Sequence, residues 1–338
     1  YFYQFAIADP IGAFFSANLA DARGTFETVS LTRMPMGWSW APTIAQRTSN
    51  AMLQLGSEKL GYAWIDNFVF AGQTAAAVRA HFNLFRDRCD RADLIIDDRY
   101  PVPRRQGTVL GMEVDLTQHR YRMAAEFVRK VTLLKPERWM TPRYLYTITG
   151  NLVWSTYARG IPLCLYSEGV DTIRRVAALI QQGLQWDTPV SFTDGELSAL
   201  TAWKAHVVAN QWANRSQKIP PHESWWRDAS STMWAFLRDD CKFHGQGVFT
   251  PTQSLWHIFI KESFAAHMCV NSGRGIPRTL FIDNMPLVLA AKRKISSNKL
   301  TNEWMRTWDW ENLTFVWVST DIQKADAFTR GAKFSQSA

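Results

Sequence analysis

The first third of the chain alternates apolar and polar residues in short runs that predict strands separated by helices. A period of two residues is typical of strands, whereas apolar residues three and four apart indicate helices. On this pattern we predict strands at 2–7, 26–31 and 108–116 and helices at 41–55 and 74–93. Residues 63–72 form two apolar runs around Asp66 and Asn67, a polar pair that predicts a hairpin turn.

The middle of the chain has helical spacing, and the last third returns to strands alternating with helices. Helices are predicted at 128–134, 145–160, 170–184 and 194–213. The polar stretch 215–224 contains adjacent prolines and is the predicted boundary between the two parts. Beyond it we predict strands at 225–237, 278–283 and 313–320 and helices at 254–269 and 284–308. This order indicates an α/β sheet domain of about 110 residues.

Length and composition are those of a globular protein with more than one domain. The chain has 338 residues, of which 46% are hydrophobic and 20% charged, so it exceeds the usual size of one core and does not have the composition of a disordered protein. Its net charge of +8 favours a polyanionic partner, because Lys and Arg release counterions when they bind phosphates. A merely basic surface explains this charge equally well.

Cysteine usage and hydropathy indicate the compartment. The four cysteines lie far apart without a CxxC pair, which argues against a zinc knuckle or a disulfide framework and predicts an intracellular reducing compartment: cytoplasm, nucleus or mitochondrion. No apolar run approaches the roughly 20 residues that cross a bilayer, so we expect no membrane partner. The chain begins at Tyr1 and not at Met, and we expect it to be a fragment, a processed product or the ordered part of a longer protein.

The most specific local signal is MPMGWSWAP at 34–42, with Gln46 four residues on. It predicts a glycine-bearing turn that enters a helix, where backbone amides approach phosphates and bases closely. The segment resembles the reverse transcriptase palm motif LPxGxxxAPxxFQ. The resemblance implies nucleotide and template contacts for Pro35, Gly37 and Gln46.

Three further segments resemble the same family, in its order and spacing. FYQFAI at 2–7 is similar to the end of the motif with the first catalytic aspartate, WIDN at 64–67 to the YxDD hairpin, and VLGMEV at 109–114 to the primer-grip strand. The resemblance implies that Asp66 is a metal ligand and that Phe2 is an aromatic gate against the ribose 2′-hydroxyl.

Two departures weaken the polymerase half. The family's first aspartate would lie ahead of Tyr1, and Asn67 stands where the family has a second aspartate in the hairpin. Asn offers a carbonyl oxygen but no charge, which weakens the hold on a metal. We therefore expect the polymerase half to be incomplete or inactive.

Four acids in the last third, Asp228, Glu262, Asp283 and Asp326, fall on a predicted strand, helix, strand and helix. Each alone is more often a solvated group or a helix cap. Their order resembles the ribonuclease H domain of long-terminal-repeat or tyrosine-recombinase retroelements, especially in DAS, FIDN and ADAFTR. The resemblance implies catalysis by two Mg²⁺ (or Mn²⁺) ions held by these carboxylates, with Asp321 as a rival for the fourth position. Clustering is expected to raise the pKa values of the acids until metal binds.

Basic residues suggest how RNA/DNA hybrids would be held. Lys292, Arg293 and Lys294 follow Asp283 closely and would contact the phosphate backbone, although a solvated helix end explains them equally well. The resemblance implies an α/β fold class: a reverse transcriptase palm at 1–116, a helical thumb or connection at 117–218 and a ribonuclease H-like domain at 219–338. Most of the fingers subdomain is absent from this sequence.

Two hypotheses follow for the function. The first is an RNA-directed DNA polymerase with ribonuclease H, acting on RNA and RNA/DNA hybrids. The second is a domesticated, inactive descendant that serves as an RNA-binding structural subunit among the proteins of a large ribonucleoprotein, such as a mitochondrial ribosome. The absent upstream aspartate, Asn67 and the start at Tyr1 favour the second, and the full set of four acids favours the first.

Overall fold

The computed structural model has the predicted α/β class and consists of two compact units, Tyr1–Val109 and Leu110–Ala338. It describes residues 5–6, 16–20, 26–35, 39–55, 58–59, 61–96, 102–214 and 220–332. Within these residues, none of the helices has the length and apolar character needed to cross a membrane.

Among the described residues of unit 1, two helices and the hairpin at 62–69 pack around a small apolar core of Leu53, Phe85 and Cys89. The Thr74 hydroxyl accepts a hydrogen bond from the Ala77 amide (3.1 Å) and fixes the start of its second helix. The elements are β1 (Ser16–Ala20), β2 (Phe26–Ser30), α1 (Ala41–Leu53), β3 (Gln54–Leu55), β4 (Glu58–Lys59), β5 (Tyr62–Trp64), β6 (Asn67–Val69), α2 (Ala75–Arg91) and β7 (Gln106–Val109).

Unit 2 begins with a helical region whose core surrounds the fully buried Trp203. The Trp203 indole donates a hydrogen bond to Thr156 Oγ1 (2.8 Å), and its ring stacks on Tyr166. The elements are β8 (Met112–Asp115), β9 (Arg120–Met123), α3 (Ala125–Leu133), β10 (Trp139–Met140), α4 (Pro142–Ala158), a 3₁₀ turn (Leu163–Tyr166), α5 (Ser167–Gln181), β11 (Val190–Ser191), α6 (Asp194–Ala209) and β12 (Ala213–Asn214).

The rest of unit 2 is a five-stranded sheet with the order β15-β14-β13-β16-β17. Strands β13, β14 and β15 are antiparallel neighbours, whereas β16 and β17 run parallel to β13. The elements are β13 (Glu223–Ala229), β14 (Met233–Arg238), β15 (His244–Val248), α7 (Pro251–Ser254), α8 (Ile258–Asn271), β16 (Arg278–Ile282), α9 (Met285–Arg293), α10 (Lys299–Met305), β17 (Leu313–Trp317), a 3₁₀ turn (Thr320–Ile322) and α11 (Asp326–Thr329).

Three predicted elements were wrong because each contains a turn that hydropathy does not reveal. The strand predicted at 108–116 breaks at Leu110 and Gly111, which have positive φ angles of 48° and 78°. The strand predicted at 225–237 is the hairpin β13–β14, whose turn is closed by the Met233 amide donating to Ser230 Oγ (3.0 Å). The helix predicted at 284–308 is α9 and α10, because Lys294 has a φ of 55° and ends α9.

The helical region and the sheet are tied together within unit 2. The Arg306 side chain donates to Cys164 O (3.0 Å) and to the Glu168 carboxylate (2.7 Å), and Lys294 Nζ donates to Gly160 O (2.9 Å). Cys164 itself is buried in the apolar core under the sheet. The sheet therefore shares part of its core with the helices that precede it.

Two helical glycines offer a matched test of packing in the helical region. Gly169 on α5 is buried, and a Cβ there would lie 2.9 Å from the Trp203 ring. Gly150 on α4 is exposed, and a Cβ there would meet nothing within 4 Å. We expect Gly169→Ala to lower the free energy of unfolding by about 1–3 kcal/mol and Gly150→Ala to raise it by about 0.5–1 kcal/mol, as measured by urea denaturation. Equal effects of the two substitutions would contradict this packing.

Candidate metal centre

Two neighbouring parallel strands bring two carboxylates together at their carboxyl-terminal ends. In the pairing of β13 with β16, Trp226 lies opposite Phe281. Two residues further along each strand are Asp228 and Asp283, the second just beyond the end of β16. Because parallel strands keep their register, the two side chains converge where the strands end.

The third carboxylate comes from the helix that packs on this sheet. Glu262 lies in the first half of α8, which contacts β13 and β14. Asp228 and Glu262 are both only 5% exposed. Asp228, Glu262 and Asp283 each offer an oxygen within 4.8 Å of the others. The structure thus brings together three of the four acids predicted in this domain.

A buried arginine shares this cluster. Arg227, on β13 directly before Asp228, is fully buried, and its Nη1 donates to Glu262 Oε2. Burial lowers the pKa of Arg227 to about 10, although the charges of Asp283 and Asp228 oppose that change. The side chain is therefore a cation at neutral pH.

Burial also governs the ionisation of Asp228. Desolvation raises its pKa above the usual range, and the charge of Asp283 raises it further. A hydrogen bond from Thr329 Oγ1 (2.6 Å) and the charge of Arg227 act in the opposite direction. The predicted direction is thus found at Asp228, but burial contributes more to it than the clustering of acids does.

Asp326 lies outside the cluster that the described residues form. Its carboxylate pairs with Arg330 at 2.9 Å, one turn further along. It is connected to the cluster through Thr329, whose Oγ1 is 2.9 Å from Asp326 O and 2.6 Å from Asp228 Oδ2. Asp326 therefore remains a prediction as a fourth ligand.

The donor set suits a hard divalent cation. All three groups offer carboxylate oxygen, the ligand type that Mg²⁺ and Mn²⁺ prefer. Asp283 Oδ2 accepts from Thr320 Oγ1 (3.2 Å), whereas Asp283 Oδ1 is buried without a hydrogen-bond partner among the described residues. A buried carboxylate oxygen without a hydrogen-bond partner calls for an explanation, and ligation of a cation would satisfy it.

In unit 1, the predicted hairpin carries Asp66 and is held by Gln46. Gln46 Oε1 accepts from the Ile65 amide (2.8 Å), and its Nε2 donates to Ala63 O (3.1 Å). Both hydrogen bonds fix the β5–β6 turn, in which Ile65 has a φ of 56°. Asp66 is exposed, and the side-chain Nδ2 of Asn67 donates to its Oδ1 (3.1 Å).

The remaining predicted nucleotide contacts are only partly described. Pro35 is half-buried and follows Met34, whose amide donates to Phe5 O (2.9 Å). Phe2 and Gly37 lie outside the described residues. Their predicted roles remain predictions.

The three predicted backbone contacts have different environments. Lys292 and Arg293 are exposed in the last turn of α9. Lys294 is half-buried, and its ammonium donates to Gly160 O and lies 5.8 Å from the centre of the Trp310 ring. Lys292 and Arg293 are thus the better placed of the three for a phosphate backbone.

Sequence reasoning missed the partners of the acids. Arg227 is adjacent to Asp228, yet in an alternating strand that position predicts a side chain on the other face. One signal could have revealed it: in the run WWRDAS, the residues around Asp228 are apolar or small except for this one charged residue. Thr320 and Thr329 have no comparable signal, because their roles depend on contacts between distant segments.

Comparisons with known proteins support the fold. No protein-family model and no curated protein matches the chain. Among solved structures it is similar to the foamy viral protease-reverse transcriptase dRH in complex with double-stranded DNA, with 16% identity and a TM-score of 0.50 over 94% of this chain and 55% of that one. At this identity the likeness shows only that the fold is similar to that of this reverse transcriptase structure, and this chain spans about half the length of that protein.

Two further structures of the foamy viral protease-reverse transcriptase are similar over 94% of this chain. One is in complex with an RNA/DNA hybrid, with 16% identity, a TM-score of 0.48 and 43% of that chain covered. The other is in complex with double-stranded DNA, with 15% identity, a TM-score of 0.46 and 66% of that chain covered.

The raised pKa of Asp228 leads to a test of the metal-free site. Ionisation of a group with a raised pKa opposes folding, so stability falls as the pH rises from the ordinary Asp range through the raised value. In buffer with chelator at neutral pH, we expect Asp228→Asn to melt a few degrees above the wild type in circular dichroism. The difference should vanish below pH ~4, where Asp228 is protonated in both states.

Asp326→Asn is the matched control for this measurement. Its carboxylate is partly exposed and lies in an i,i+4 pair with Arg330, so the change in stability should be within about 0.5 kcal/mol at either pH. If Asp228→Asn melted below the wild type at neutral pH, the ionised carboxylate would be stabilising, contrary to the burial argument.

Proposed function

We propose that the chain binds RNA/DNA hybrids and that the sheet of unit 2 cleaves their RNA strand with divalent metal ions. The observation that carries this proposal is the convergence of Asp228, Glu262 and Asp283 to within 4.8 Å at the edge of a five-stranded sheet. Carboxylates from two parallel strands and a helix can together hold hard cations next to a phosphodiester.

The side chains of the site have different proposed roles. Asp228 and Asp283 would hold the metal from the ends of β13 and β16, and Glu262 from α8. Bound Mg²⁺ or Mn²⁺ supplies an activated water and neutralises charge on the departing oxygen. Thr329 and Thr320 donate to Asp228 and Asp283 and so fix the orientation of both carboxylates. Asp326 is proposed as a fourth ligand that joins when substrate or a second ion is present.

For the polymerase half we propose ancestry rather than activity. The hairpin of unit 1 presents one carboxylate, Asp66, and the side-chain Nδ2 of Asn67 already donates to it. Phosphoryl transfer by two metals needs more than one carboxylate, because hard cations of charge +2 require compensating negative charge. Unit 1 would then serve to bind nucleic acid.

A second candidate function rests on Arg227. An internal cation that pairs with Glu262 partly neutralises the acid cluster without any metal. This feature favours an inactive, RNA-binding subunit of a ribonucleoprotein, in which the former active site persists as a buried ion pair.

Cleavage of a labelled RNA/DNA hybrid separates the two candidates. We expect the wild type to cut the RNA strand in Mg²⁺ or Mn²⁺ and Asp228→Asn to reduce the rate by about 100-fold or more, since it weakens metal binding worth several kcal/mol. Products resolved on a denaturing gel give the rate.

Glu311→Gln is the matched control, because Glu311 is an exposed acid just before the start of β17, outside the cluster, and its loss should leave the rate unchanged. If the wild type cut no faster than Asp228→Asn while both bound the hybrid equally, the nuclease proposal would be wrong and the RNA-binding candidate would stand.

Salt dependence tests the proposed phosphate contacts. Replacing both Lys292 and Arg293 by Ala should weaken hybrid binding and reduce the slope of log K against log salt by about two, one for each phosphate that the protein no longer neutralises. Fluorescence anisotropy over a series of salt concentrations measures the slope. Replacing Arg129 and Lys130, two exposed cations on α3, removes the same charge and should leave the slope nearer to the wild-type value. Equal slopes for the two double variants would refute a local contact.

A further inference from the structure

Arg227 is a buried cation that lies next to the cluster of three acids. It is 0% exposed and lies on the same face of β13 as Trp225, beneath α8. Its Nη1 donates to Glu262 Oε2, while its Nε and Nη2 are buried without a hydrogen-bond partner among the described residues. A guanidinium needs several acceptors when it is buried, so this side chain is held chiefly by the charge of the acids around it.

The charges in the cluster indicate how many ions it can hold. Three carboxylates and one guanidinium leave a net charge of −2 when all are ionised, three negative charges against one positive. One divalent cation balances that charge. Two would leave an excess of positive charge in a largely buried site, and an unbalanced buried charge is costly.

We propose that Arg227 is a resident cation that takes the place of one of two divalent ions, so that the chain without nucleic acid binds a single Mn²⁺ or Mg²⁺ ion. This proposal rests on the metal site of the proposed function. Arg227 acts through Glu262: it occupies one carboxylate oxygen of that residue and repels a cation that approaches it. Arg227 is therefore a positioning residue that sets metal occupancy.

Arg278 shows how a purely structural arginine is held in the same core. It is 1% exposed on β16, and its guanidinium donates to Cys269 O (3.2 Å) and Val270 O (2.6 Å) near the C-terminal end of α8. Its partners are main-chain carbonyls, whereas the hydrogen-bond partner of Arg227 is a carboxylate of the metal cluster. Arg278→Met is thus the matched control, because it removes a buried guanidinium whose hydrogen-bond partners are not the acids.

The experiment is a titration of the full chain with Mn²⁺, in the absence of nucleic acid, with free Mn²⁺ followed by electron paramagnetic resonance. We expect one bound ion per wild-type chain. Arg227→Met should bind Mn²⁺ at least about tenfold more tightly, because a unit positive charge a few ångströms from the ion has been removed. Arg227→Lys, which keeps the charge, and Arg278→Met should retain the wild-type affinity and stoichiometry.

The increase in melting temperature on addition of Mn²⁺ gives a second readout, which a merely structural role would not change. Loss of Arg227 leaves Glu262 buried without its cation, so Arg227→Met should melt below the wild type in chelator and gain more from added Mn²⁺ than the wild type does. Arg278→Met should also melt lower, but with the wild-type response to Mn²⁺.

Two results would overturn the proposal. One is a wild-type chain that binds two Mn²⁺ ions with similar affinity, which requires no variant to fold. The other is an unchanged affinity in Arg227→Met. A wild-type chain that binds one Mn²⁺ ion, with tighter binding in Arg227→Met, but cuts no RNA/DNA hybrid would support the role of Arg227 while the nuclease proposal failed, so the two proposals are separable.

Discussion

The mutual repulsion of three carboxylates, held within 4.8 Å at the end of two buried strands, is the constraint on which the sheet of unit 2 depends. Carboxylates that are withdrawn from water must gain protons, hydrogen bonds or a cation. Each means is present here: the pKa of Asp228 is raised, Thr329 and Thr320 donate hydrogen bonds, and Arg227 pairs with Glu262. The same contacts consequently determine both the charge of the site and the stability of the sheet.

Much of this arrangement could be predicted from the sequence, because it follows from the order of elements. Asp283 ends a predicted strand, Asp228 lies near the start of another and Glu262 lies on a predicted helix, so an α/β sheet with parallel strands brings them together. Asp326 could not be placed in the same way, since its orientation depends on a helix of four residues and on a local pair with Arg330. Hydropathy likewise missed the turns at Leu110 and Lys294, which depend on left-handed backbone angles.

Unit 1 illustrates a different limit of motif reasoning. The motif that ends in Gln46 predicts a contact with nucleotide or template, but in the structure both ends of the Gln46 amide bind the backbone of the hairpin that carries Asp66. Spacing in the sequence identifies which segments belong together. It does not reveal whether a polar side chain contacts a ligand or supports the loop that does.

The apolar core of the C-terminal sheet includes the buried Cys164, which belongs to the helical region that precedes the sheet in the chain. This residue completes the apolar core beneath α8 and α10, and its carbonyl accepts the Arg306 side chain. A module that contained the sheet alone, excised at the proline pair, would lose Cys164 from its apolar core and leave the Arg306 side chain without its acceptors on Cys164 and Glu168. Gene fusion or shuffling could therefore transfer this module to a new protein intact only if the preceding helices travelled with it.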